Sequence, residues 1–279
     1  MRKFFCLVCV LLPSLAPVSQ AAEGLTAEVE HLLLAPKLSD VGVQNIFYLE
    51  DLLNSVQEFG SITSDTSYAQ RLVLAYEGDN AGGAQIRWFT FDQDLDYSGV
   101  VEETPIVNLT GGVNLDVDAI DAEFTQRGEF HVWNWFATAG ARYARLALRE
   151  DSINFEDLID TIWFGSTGVE FEGVGPTASV RGQRHIGKSG FSLFGSGRMS
   201  LLFGDTERFS AFRAGGSYVN PNEMVQVWEL QMGSRFERRL QNFDLLTGIF
   251  WEAQRWDSDS NLLGDLGFHG FGVNTGLRY

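Results

Sequence analysis

The sequence predicts an all-β protein, an antiparallel transmembrane β-barrel of ten strands, with twelve as the alternative count. Three observations carry this. Thirty glycines, 22 Phe, 7 Tyr and 7 Trp stand beside only six prolines, a mixture suited to tightly turned, extended chain rather than to disorder. Beyond residue 21 no apolar run approaches the roughly 20 residues of a membrane helix, although 44% of the chain is hydrophobic and its mean hydropathy is -0.06. Finally, period-two alternation recurs along the chain and runs to its last residue.

The first 21 residues are set apart. Arg2 and Lys3 form a basic start, Phe4 to Val18 an apolar stretch, and Ser19-Gln20-Ala21 a small-residue cleavage site, the three parts of an export signal. The mature chain is then 22–279, a single barrel unit. Both cysteines, Cys6 and Cys9, fall inside the leader, so the mature chain has neither disulfide nor thiolate site.

Strands are expected near 26–33, 67–78, 83–92, 112–125, 130–147, 166–184, 190–204, 223–239, 243–256 and 267–279. In the first, Thr26, Glu28 and Glu30 alternate with Ala27, Val29, His31 and Leu33. Leu72, Leu74 and Tyr76 oppose Arg71, Val73 and Glu77 in the second, and Ala84, Ile86 and Trp88 oppose Gln85 and Arg87 in the third. In 112–125 the apolar residues change parity, from Val113, Leu115 and Val117 to Ile120, Ala122 and Phe124, which predicts a bulge near Ala119. Trp133, Trp135, Ala137, Ala139, Ala141 and Tyr143 share the outward face of 130–147, leaving Asn134, Thr138, Gly140 and Arg142 inside. The final strand sets Phe271, Val273, Leu277 and Tyr279 on one face. A terminal strand of this form is expected to close the barrel and to be its insertion signal.

The connections sort by length. Turn-like links at 78–82, 126–128, 187–190 and 240–242 alternate with long connectors at 37–66, 93–111, 149–165, 205–222 and 257–266. Short periplasmic turns and long extracellular loops are the rule in bacterial barrels. Extra strands at 43–50 and 207–219 would make twelve. Ile46, Leu49, Leu53 and Val56 have helical spacing instead, so 43–58 is read as a short amphipathic helix. All seven tryptophans are expected toward strand ends, where rings meet a membrane interface.

Several segments together resemble one family. These are 71–91 (RLVLAYEGDNAGGAQIRWFTF), 119–124 (AIDAEF), 139–145 (AGARYAR) and 171–204 (FEGVGPTASVRGQRHIGKSGFSLFGSGRMSLLFG). They are similar to the Legionella-type major outer-membrane protein family, most specifically in the GVGP block and the SLFG and SLLFG that follow it. The resemblance covers most of the chain from about residue 67. It implies an outer-membrane location and a pore-forming role, and it brings no residue-level mechanism.

Catalytic and metal chemistry have little to stand on. His31, His131, His185 and His269 are scattered, and a zinc site needs three or four converging ligands. Gly173-Val174-Gly175-Pro176 is not a dinucleotide loop, because no helix follows. Asp92, Asp94 and Asp96 lack the spacing of a calcium loop, and are placed on an exposed acidic loop that could bridge lipopolysaccharide. His269 with Asp265 is the one hydrolase-like pair near the outer rim. No catalytic residue, metal or cofactor is assigned. A formal charge of -17, from 37 acids against 20 bases, argues against a nucleic-acid partner. The expected partners are outer-membrane lipid and lipopolysaccharide, periplasmic chaperones and the barrel-assembly machinery.

Function is expected in the lumen. Glu28, Glu30, Arg71, Arg87, Asp121, Glu123, Arg142, Arg198, Glu229 and Arg235 have inward parity, and Arg142 is expected to pair with Asp121 or Glu123 on the adjacent strand. The primary expectation is a narrow pore for ions or small polar solutes with a charged constriction. The alternative is a structural or surface-binding barrel acting through its loops, because ten strands enclose far less space than the 16–18 of wide porins.

Overall fold

The computed structural model describes residues 24–39, 62–63, 66–78, 81–101, 107–156, 167–187, 189–210, 216–259 and 265–279. The leader, the helix expected at 43–58 and Trp163 lie outside them. The elements are β1 (Gly24–Ser39), β2 (Ile62–Thr63), β3 (Ser67–Glu77), β4 (Gly82–Val101), β5 (Val107–Phe130), β6 (Trp133–Glu156), β7 (Thr167–His185), β8 (Phe191–Ser210), β9 (Gly216–Arg239), β10 (Asp244–Ser258) and β11 (Asp265–Arg278). The two-residue β2 only adds to the upper end of β1. The other ten strands pair antiparallel with their sequence neighbours, and β11 returns to β1, from Thr26 opposite Arg278 to Ser39 opposite Asp265. Leu25 and Tyr279 exchange backbone hydrogen bonds of 3.1 and 2.9 Å at the foot of this seam. A closed ten-strand barrel leaves no strand edge, so each wall strand satisfies its backbone within the protein.

The strands run past several expected ends. Residues 126–128 do not turn: β5 continues to Phe130, and the reversal is made at His131 and Val132, with His131 at φ 58°. Much of three long connectors is wall, since β4 reaches Val101, β6 reaches Glu156, and β8 and β9 run to Ser210 and from Gly216. Of 207–219, the described residues 207–210 and 216–219 belong to β8 and β9 and form no extra strand. The acidic residues Asp92 and Asp94 stand on β4, not in a loop. Pro176, which has no N–H to donate, sits where the β7–β8 ladder lapses between Val174–Phe203 and Thr177–Ser200.

The expected bulge near Ala119 is absent. The register of β5 against β6 is unbroken from Val113 to Phe130, and its one irregularity lies at Gly112/Val113. What changes near Ala119 is polarity. Val113, Leu115, Val117, Ala119, Asp121 and Glu123 all point inward and all are buried. The same switch occurs within one inward step on strand after strand: Glu30 to Leu32, Arg71 to Ala69, Arg87 to Phe89, Arg142 to Ala144, Glu229 to Val227, Gln254 to Trp256. Below this level the lumen is polar; above it, toward the long connectors, side chains such as Leu34, Phe91, Leu115, Phe171, Leu202, Val225 and Phe268 form an apolar core. Trp256, expected at an interface, belongs to that core and is 1% exposed.

The outer face inverts at the same height. Ile120, Phe124, Leu72, Leu74, Val174 and Leu230 are exposed apolar residues below it, and Asp92, Asp94, Asp116, Glu172 and Glu207 face out above it. Aromatic side chains mark the boundary and aim their polar atoms upward or sideways. Tyr143 Oη donates to Glu172 at 2.9 Å, Trp88 Nε1 to Asp118 at 3.4 Å, and Tyr68 Oη lies 2.7 Å from His31 Nδ1. Amphipathic rings of this kind fit a membrane interface. Phe271, Val273 and Tyr279 face out on β11, as the alternation requires, and Leu277 is half-buried. β4 continues from Thr90 to Val101 above the boundary, about 40 Å measured along the strand at roughly 3.3 Å per residue. The barrel is thus a membrane band carrying an extramembrane extension with an inside-dry, outside-polar wall.

This division predicts two different tolerances for charge. Phe124→Arg, in the apolar band, should lower unfolding stability in lipid vesicles by about 2–4 kcal/mol. Asp92→Lys, on the extension, should change it by no more than about 0.5 kcal/mol. Equal effects would place the boundary elsewhere.

Candidate functional site

The polar half of the lumen is the one region where the wall strands bring chemistry together. Six carboxylates, Glu28, Glu30, Asp121, Glu123, Glu229 and Glu252, meet six arginines, Arg71, Arg87, Arg142, Arg181, Arg198 and Arg235. Charges shielded from water are costly unless paired and hydrogen-bonded; the alternating pleat points all twelve inward, and eleven of them are paired. The lumen is therefore balanced, and the chain's negative excess lies outside it.

The largest cluster joins β4, β5, β6, β8 and β9. Arg142, 1% exposed, donates Nε to Asp121 Oδ1 at 2.5 Å and Nη2 to Oδ2 at 2.9 Å, a bidentate grip. The same Nη2 lies 2.7 Å from Glu229. Arg87 bridges the same two acids, at 2.9 Å to Asp121 and 2.5 Å to Glu229. Arg198 binds both oxygens of Glu123, the second at 3.1 Å, and stands 3.5 Å from Asp121. Glu123 also accepts from Gln85 and Thr138, at 2.5 and 2.8 Å. Asp121 and Glu229 each touch three guanidinium groups, so no single arginine is their sole partner.

Two smaller clusters straddle the closing seam. Arg71 on β3 binds Glu30 on β1 at 2.6 Å and grips Glu252 on β10 through both Nη atoms, at 2.8 and 2.6 Å. Gln231 and Gln254 complete Glu252, at 2.7 and 2.5 Å. Arg235 on β9 reaches Glu28 on β1 at 2.5 and 2.8 Å, and Asn274 on β11 donates to Glu28 as well. These reaches cross β11 because its lumen face is almost bare: Gly270, Gly272 and Gly276 flank Asn274. A Cβ on Gly272 would strike the Phe250 ring.

All ten arginines and acids given inward parity face the lumen. The expected pairing of Arg142 is with Asp121 and not Glu123, since Asp121 is its direct cross-strand partner. Glu252 and Arg181 were missed. Glu252 sits in Phe250-Trp251-Glu252-Ala253-Gln254 on the parity of Gln254, a signal masked by its apolar flanks. A second region, a vestibule of about 100 Å³ at the short-turn end, is lined by Glu28, Glu77, Arg127, Arg181, Arg235 and Arg278, among others. Arg127 binds Glu77, and Arg278 lies 3.0 Å from Asp244.

His31, His131, His185 and His269 are all exposed on the outside or at turns. His269 points away from the lumen, and Asp265 lies 3.0 Å from Arg255. Among the described residues no group of three or more His, Cys, Asp or Glu side chains could hold a metal ion. The acidic outer face near Asp92 and Asp94 is bridged by Asn114, which donates to both at 3.0 Å.

The family of the Legionella pneumophila major outer membrane protein precursor matches residues 17–261. No curated protein matches the chain. Among solved structures, the outer membrane protease OmpT from Escherichia coli superposes with a TM-score of 0.54 at 8% identity, over 94% of this chain and 98% of that one. The translocator domain of the autotransporter NalP from Neisseria meningitidis gives 0.44 at 12% identity, over 94% and 91%. The TodX monoaromatic hydrocarbon channel, in a deletion mutant, gives 0.34 at 6%, over 92% and 91%. The likeness to OmpT is one of fold alone.

The pairing pattern orders the arginines by cost. Arg71→Ala strips Glu30 and Glu252 of their one bound cation and should cost about 3–5 kcal/mol, the range for an uncompensated buried charge. Arg142→Ala should cost less, because Arg87 and Arg198 remain on Asp121 and Glu229. Chemical unfolding of both variants checks the order, and the reverse order would mean that the clusters do not act separately.

Proposed function

Since the chain belongs to the family of the Legionella pneumophila major outer membrane protein precursor, we propose that it is an outer-membrane barrel with a closed interior. On this reading it acts through the surface raised above the membrane, not as a standing channel. One observation carries the proposal: the lumen is occupied twice along its axis. The arginine–carboxylate network fills the membrane band, and the apolar core fills the extension, with Leu32, Leu115, Val117, Phe171 and Leu202 all at 0% exposure. Ions crossing would have to break paired charges and then traverse a dry stack of aliphatic and aromatic groups.

A narrow porin-like pore is the second reading, and the vestibule favours it. Water-accessible polar lumen reaches from the short-turn end to Arg87, Arg198 and Glu229, half of a charged path. In either reading the role is non-catalytic. Export by cleavage after Ala21, insertion through the terminal face of Phe271, Val273, Leu277 and Tyr279, and contact with lipopolysaccharide along the polar extension belong to the same proposal. So does delivery by periplasmic chaperones and the barrel-assembly machinery.

Planar-bilayer recording of refolded protein decides between the readings. The closed barrel should add no steady ohmic conductance to the bare membrane. A steady conductance whose reversal potential moves toward cation preference in Arg142→Ala would replace the proposal with the pore.

A further inference from the structure

Of the six lumen arginines, five hold a carboxylate within 4 Å, and each of the six carboxylates has an arginine. Arg181 is the remainder. It lines the vestibule at the short-turn end, where its Cζ lies 5.3 Å over the Phe194 ring. No hydrogen bond or ion pair of its side chain is found among the described residues, which leaves the whole donor fork unused. Its closest charged neighbours include two more cations, Arg235 and Arg127, along with Glu28 and Glu30. Those acids are already committed to Arg235 and Arg71.

The neighbouring guanidinium groups have donors to spare. Nε of Arg235 is buried without a partner. Arg127 binds Glu77 through Nε and lays its guanidinium over the Phe136 ring at 5.0 Å. Three arginines thus line a cavity of about 100 Å³; the carboxylates on its wall, Glu28, Glu30, Glu77, Glu229 and Glu237, are each paired with an arginine other than Arg181. A guanidinium fork matches an oxyanion in two-point geometry, and the Phe194 ring beneath Arg181 gives that fork a fixed seat.

We propose that the periplasm-facing vestibule is a binding site for a small oxyanion, phosphate or a carboxylate, held by Arg181 with Arg127 and Arg235 at its sides. The site does not depend on whether the barrel conducts, since it opens at the short-turn end and the network forms its inner wall.

Calorimetric titration of folded, detergent-solubilised protein with inorganic phosphate, against chloride at equal ionic strength, tests the site. Wild type should bind phosphate saturably and chloride should not compete at matched strength. Arg181→Gln should weaken binding by roughly tenfold or more, Arg181→Lys should weaken it less, and Arg149→Gln on the outer wall should leave it unchanged. Arg181→Gln removes an unpaired cation, so it should fold and melt no lower than wild type without phosphate. If it does not fold, Arg181→Lys decides: the point charge is kept and the fork is lost, so weaker phosphate binding supports the site and equal binding overturns it. Absence of saturable binding by wild type, or equal binding by Arg181→Gln, overturns it outright.

Discussion

A charge enclosed by a barrel wall has no bulk water to turn to, and the interior is organised by that constraint. Each of the six carboxylates of the membrane band has found a guanidinium, and most have found an amide or hydroxyl as well, as Glu123 has in Gln85 and Thr138. Such networks stabilise when complete and become costly when one member is missing. They also fix geometry. Asp121, gripped at both oxygens by Arg142 and approached by Arg87, ties three wall strands into one register that a one-residue slip would destroy.

The second organising feature is the exchange of polarity between the two faces. In the membrane band the wall is apolar outside and charged inside; in the extension the same strands, without a break in pleat, reverse both. A strand that keeps its hydrogen-bond ladder but changes solvent must change which parity carries its apolar residues, because the core it serves has moved from lipid to lumen. The aromatic collar of Tyr68, Trp88, Tyr143 and Trp228 sits at the crossover, as amphipathic rings should. The extension is built like a small water-soluble barrel standing on a membrane one.

Much of this was legible in the sequence. Period two, the terminal strand and the inward charges of the membrane band follow from residue type and parity alone. The crossover was visible too, in Val113-Asn114-Leu115-Asp116-Val117-Asp118 against Ile120-Asp121-Ala122-Glu123-Phe124. With parity referred to lipid along the whole strand, that change reads as a bulge; referred to lipid below and lumen above, it is a change of solvent. For the same reason Trp256 was placed at an interface and the polar upper strands were taken for loops. What the sequence could not supply was partner choice. Glu28 meets Arg235, far away in the chain, and Arg71 meets Glu252, only because closure brings β1 and β3 beside β9 and β10.

The bare lumen face of β11 has a consequence for assembly. Glu28, Glu30 and Arg71 lie in the first strands to emerge, and their partners Arg235 and Glu252 in the last. Until the final strand is seated Arg71 has only Glu30, its neighbour across β1 and β3, while Glu28 lacks Arg235 and Glu252 lacks Arg71. Gly270, Gly272 and Gly276 let that strand enter without displacing side chains already in place, and its arrival neutralises both ends of the chain together. Closure is then a single latch: a chain truncated before β10 has lost Glu252 and keeps Glu28 and Arg235 apart at opposite edges of an open sheet. The barrel in effect proofreads its own completeness.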